Sequence, residues 1–120
     1  HKDNKKMAEF TKPLHQVIGS AQNASLWIAA NGMGNPDEAA AGSAEYLRLM
    51  ALMVFAYMWA MMAEVSLRKL EGNPNKKEFY ENKLAVARFY MNKILPYHYG
   101  LLASIVNGSK SVMAMADEAV

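Results

Sequence analysis

Placed at 100° intervals, the hydrophobic positions of this chain fall into arcs that predict three long helices. In the first tract Met7, Phe10, Leu14, Val17, Ala21 and Ile28 share one side, the stripe of an ordinary amphipathic helix. In the third, Phe79, Tyr80, Leu84, Val86, Ala87, Tyr90, Met91 and Ile94 lie opposite Glu78, Glu81, Asn82, Arg88 and Asn92. Two residues break that division: Lys83 falls inside the apolar arc and Phe89 among the polar residues. The middle tract has no polar side. Tyr46, Met50, Met53, Val54, Tyr57 and Met61 form one arc, Phe55, Trp59 and Met62 lie roughly opposite, and Leu52, Ala56, Ala60 and Ala63 form a stripe in a third direction. A helix apolar all round is buried all round. Three helices cover only part of such a surface, so the remainder is expected to meet another helix, another subunit or further polypeptide.

The breaks between tracts are clear. Asn31, Gly32, Gly34, Asn35 and Pro36 form one, Gly72 to Asn75 another, and Asn107, Gly108 and Ser109 a third. The spacing predicts a first helix over about 4–31, with Pro13 as a kink or internal start, because proline removes a backbone donor. A second helix is predicted over 36–71, with Asn35 as N-cap, Pro36 first, Asp37 and Glu38 in the first turn, and Arg68, Lys69 and Gly72 at its close. At 1.5 Å per residue it would be on the order of 50 Å long, which implies an elongated bundle or a bend. The third helix starts after Asn75 and reaches Leu95; Pro96 interrupts it, and a continuation runs to Val106. A short helix over about 110–117 ends the chain. The fold class is therefore all-α, an elongated up-down bundle in a single domain over residues 1–120.

Composition narrows the chemistry. With 120 residues, 52% of them hydrophobic and 20% charged, the chain can carry a core and is too apolar for disorder. Having no cysteine excludes disulfides, thiolate zinc sites and a cysteine nucleophile. A net charge of +2 without a basic patch argues against a nucleic-acid partner. The apolar run from Leu49 to Ala63 holds fifteen residues between Arg48 and Glu64, short of the ~18–20 of a membrane span, so a buried helix is expected. The chain begins at His1 with no secretion pattern, which suggests a piece of a longer protein, and the expected compartment is the cytoplasm.

Candidate chemistry is sparse. None of His1, His15 and His98 is preceded three residues earlier by Glu, as a di-iron bundle would require. A haem held by His98 with Met91 or Met113 is chemically conceivable, but one His among ten Met specifies no geometry. The methionines suit cores and adaptable interfaces. Lys83 is expected to snorkel or to pair with Glu45 or Glu64. No nucleophile elbow, phosphate loop or nucleotide fingerprint appears, so no catalytic, cofactor-binding or metal-ligating residue is assigned. The candidate interface is Leu52, Phe55, Trp59, Met62 and Phe89; Lys83 and Arg88 are weaker candidates for phosphate contact.

Four segments carry a resemblance. Ala41–Met50 (AGSAEYLRLM), the run through Tyr57–Ala60 (YMWA), Phe79–Pro96 (FYENKLAVARFYMNKILP) and Ser111–Met115 (SVMAM) together resemble the C-terminal helical extension of acyl-CoA dehydrogenases of the subgroup similar to 3-methylmercaptopropionyl-CoA dehydrogenases. The resemblance implies a multidomain parent in which FAD takes a hydride from the β-carbon of an acyl-CoA while a glutamate takes the α-proton, giving a trans-2-enoyl-CoA. It also implies electron transfer to an electron-transferring flavoprotein and a homo-oligomeric parent. The groups for that chemistry would precede His1, so this stretch alone is expected to pack rather than catalyse. A free-standing helical interaction or oligomerisation module is the competing reading.

Overall fold

A computed structural model describes residues 5–32, 34, 36–72 and 74–108. Among them the structure is all-α, without a strand. A 3-10 turn at Lys5–Met7 leads into α1 (Ala8–Gly32); α2 (Pro36–Ala41), α3 (Ser43–Glu71), α4 (Lys77–Phe89) and α5 (Tyr97–Asn107) follow, with a π-helical turn at Tyr90–Ile94 between the last two. The expected Asn35 cap and the short helix over 110–117 lie outside the described residues.

Cross-links between helices set the topology. Lys6 near the start of α1 pairs with Glu71 at the end of α3, and Ser25 bonds Tyr46, so α1 and α3 run antiparallel. Glu9 meets Arg88 and Ser20 meets His98, so α4 and α5 run alongside α1 in its direction. The outcome is an up-down-up bundle with α3 as the shared neighbour. It measures 65 × 27 × 16 Å, with a radius of gyration of 18.7 Å. A compact chain of this length would have roughly 14 Å, so the fold is elongated.

The expected boundaries need three corrections. No internal start appears at Pro13, which lies inside α1: the missing N–H would have met the Glu9 carbonyl close to the start of α1, so one backbone bond is lost and the run continues. The second helix is not one rod but breaks at Gly42, whose carbonyl then accepts the first bond of α3 from the Tyr46 N–H (2.9 Å). Gly42 packs on Ile105 of α5, and the break lets α2 pack on α1.

The third correction concerns register. Pro96 does interrupt the third rod, and the turn before it widens so that the Leu95 N–H reaches back to the Tyr90 carbonyl at 2.8 Å. That wider turn rotates the following residues. Leu95 is buried, and Ile94, placed inward by a uniform 100° repeat, is outside. The core is one cluster along the bundle axis that includes Phe10, Val17, Leu49, Leu84, Leu95 and Ile105.

Candidate docking surface

The inward side of α3 is lined by small residues. Ala56, Ala60 and Ala63 are buried, with Leu49 and Ser66 extending the line. Short side chains let neighbouring backbones approach closely, and the Tyr90 hydroxyl accordingly reaches the Leu52 carbonyl, donating at 2.7 Å. Burial pushes the Tyr90 phenol up to about 12. The large residues face away. Leu47, Val54, Phe55, Tyr57, Met58, Met61 and Val65 are all exposed, from 40% at Val65 to 69% at Leu47. An isolated soluble helix arranges these sizes the other way round.

The five interface candidates divide. Phe55 and Phe89 are exposed, whereas Leu52, Trp59 and Met62 are half-buried at the edges of α3's contacts, Leu52 and Trp59 against the core cluster. Leu47, Val54, Tyr57, Met58, Met61 and Val65, which dominate the outer face, were not among the candidates. The signal that marks them is the alanine spacing: Ala56, Ala60 and Ala63 show where neighbours come close, and the outer face is simply the opposite side.

Three grooves border α3. One against α5 holds about 630 Å³ between Arg48, Leu52, Phe55, Tyr97 and Leu101. Another against α1 holds about 550 Å³ beside Ile18, Leu26, Met50 and Met53. A third against α4 holds about 380 Å³ among Met58, Met62, Val65, Phe79 and Lys83. Their walls are aliphatic, aromatic and thioether groups with scattered polar atoms.

Lys83 and Arg88 are not brought together. The Lys83 ammonium lies 5.3 Å from the Phe79 ring centre, at the α4 groove. Arg88 points to α1, where Nε donates to Glu9 Oε1 at 2.8 Å and the guanidinium lies 5.9 Å from the Phe10 ring centre. Glu64, one expected partner of Lys83, instead accepts an ion pair from Arg68 at 3.9 Å.

His98 is buried, its Nδ1 sharing a hydrogen bond with Ser20 Oγ at 2.7 Å, and burial holds its pKa below the ordinary histidine value. The pair joins α1 to α5. Among the described residues no three His, Asp or Glu side chains gather as a metal site. Lys83 and Arg88 point to different neighbours and do not converge on one phosphate. By length and composition α3 is apolar enough to cross a membrane, unlike the shorter run bounded by charges, with 28% of its most apolar window buried in the bundle.

A search of curated proteins finds no match. The family described as "Acetyl-CoA dehydrogenase C-terminal like" matches residues 1–116, which takes in the whole described bundle. A helical chain with one unfinished apolar face is thus a member of that family, a C-terminal domain of acyl-CoA dehydrogenases.

Proposed function

We propose that this chain is the non-catalytic C-terminal helical module of an FAD-dependent acyl-CoA dehydrogenase, of the subgroup resembling 3-methylmercaptopropionyl-CoA dehydrogenase, working in the cytoplasm. Its task is packing. The outer face of α3, with Phe55 and Phe89, seats on the dehydrogenase core or on a neighbouring subunit, stabilising the oligomer and bordering the acyl-CoA entrance. One observation carries this reading: α3 turns its alanines inward and its large apolar residues outward. The remainder of the enzyme supplies the flavin, the base that takes the α-proton and the contact with an electron-transferring flavoprotein; this module supplies apolar area.

The test is made in the full-length dehydrogenase. Val54→Asp with Met58→Asp is expected to lower its thermal midpoint and weaken subunit association in sedimentation, while the excised chain carrying both changes keeps its helical circular dichroism. An unchanged midpoint and sedimentation profile in the full enzyme would refute the packing role. For the phosphate reading of Lys83 and Arg88, reversing both charges should raise KM for the acyl-CoA; an unchanged KM removes it.

A further inference from the structure

The outer face of α3 has a finer order than exposure alone reveals. Leu47, Ala51, Val54, Met58, Met61 and Val65 follow one another in steps of four, three, four, three and four residues, and every one is exposed. That 3–4 alternation marks a single straight face of α3, with the spacing a second helix needs to lie along it with knobs in holes. The seam is about 27 Å long at the helical rise. Together with Phe55 and Tyr57 it leaves on the order of 700 Å² of apolar surface, above the ~300–600 Å² of a typical monomer's largest patch and near the ~800 Å² each partner contributes to a stable interface.

Charge selects the occupant. The next step of the spacing falls on Arg68; Lys69 flanks the same end, Arg48 flanks the other, and Lys83 borders the groove against α4. The acid on this rim is Glu64, already paired with Arg68. We propose that the seam receives one amphipathic helix of the dehydrogenase, about 20 residues long, with an apolar heptad stripe and Asp or Glu on its flanks opposite Arg48 and Lys69. The proposal rests on the packing role above and specifies its partner. A second copy of this chain would bring the same cations, Arg48 and Lys69, to the seam. A bilayer would meet a ridge edged by grooves at Met58–Val65 and at Arg48–Phe55, a relief that suits interlocking side chains.

The experiment places the photo-crosslinking residue p-benzoylphenylalanine at Met58 in the full-length dehydrogenase, with the same residue at exposed Lys12 of α1 as control, and maps the products by mass spectrometry. The expected product joins Met58 to a helical segment with an apolar heptad and acidic flanks, Lys12 gives none to that segment, and Arg48→Glu with Lys69→Glu lowers the yield at least fivefold. A product with a strand or loop of the dehydrogenase overturns the helix and leaves the packing role standing. A product with Met58 of another copy, a yield indifferent to charge reversal, or a lipid adduct also overturns it. No product with any dehydrogenase segment overturns both.

Discussion

α1 and α3 are both long helices of one bundle, yet they spend their apolar residues in opposite ways. α1 buries Phe10 and Val17 and presents Glu9, Lys12, Gln16 and Gln22 to water. α3 buries Ala56, Ala60 and Ala63 and presents Val54, Tyr57, Met58 and Met61. The difference shows that the two helices answer to different sets of neighbours. Within the bundle the centre of α1's apolar stripe, from Met7 through Phe10 and Val17 to Ala21, is covered, although Leu26 stays exposed. Along the middle of α3 small side chains, Ala56, Ala60 and Ala63, meet the neighbours, and much of its bulk is left for contacts that the bundle does not make.

The comparison can be broken most sharply at the inner sites. Phe10→Ala should destabilise the chain by about 3–5 kcal/mol, since it removes a fully buried ring and leaves a cavity. Met61→Ala on the outer face should change the isolated chain by no more than about 0.5 kcal/mol. Urea titration followed by circular dichroism measures both, and equal losses would end the contrast between the helices. Next in size is Ala60→Leu. On an exposed helix face Leu for Ala costs only a few tenths of a kcal/mol in propensity, but at buried Ala60 the added atoms must displace packed neighbours, costing about 1–3 kcal/mol in the same titration.

A smaller effect tests the contacts that tie the rods together. Tyr90→Phe leaves the Leu52 carbonyl without its side-chain donor while keeping the ring, and should cost about 1 kcal/mol in thermal or urea unfolding. His98 adds a pH dependence of defined sign. Its folded pKa is depressed by burial, so the unfolded chain binds the proton more readily. The contribution is fully present above the ordinary histidine value near 6.5 and declines as pH falls below it toward the folded pKa. Unfolding midpoints measured from pH 8 to pH 5 should therefore drop, and His98→Gln should flatten that drop. The smallest expected effect belongs to Arg88 and Glu9. Both are about half exposed, so a double-mutant cycle should return no more than about 1 kcal/mol, reduced further by salt.

Parts of the docking surface were readable in advance. The absence of a polar side on α3 follows from counting residues at helical spacing, and it already implied an external neighbour. Phe89 stands out because it falls among the polar residues of its helix, and Phe55 because it lies roughly opposite the main apolar arc of α3. Hydropathy alone does not say which of α3's arcs faces outward, because apolar residues stand on every side; the spacing of Ala56, Ala60 and Ala63 is the signal that separates them. Lys83 and Arg88 looked alike on one helix, five positions apart, but that spacing turns one toward α3's methionines and the other toward Glu9 of α1.

By itself the sequence determined the helical class, the breaks at Gly32–Pro36 and Gly72–Asn75, and the buried stripe of α1. Helix propensity, glycine and proline act locally, and a stripe with polar flanks has one way to be buried. Only the tertiary structure decided that α3 is split from α2 at Gly42, that the turn at Tyr90–Ile94 widens to bury Leu95 in place of Ile94, and that α3 hides its alanines. Each of these depends on how near another helix can come. That distance is set jointly by groups far apart in the chain, such as Leu52 and Tyr90 or Gly42 and Ile105, and hydropathy along the chain does not encode it.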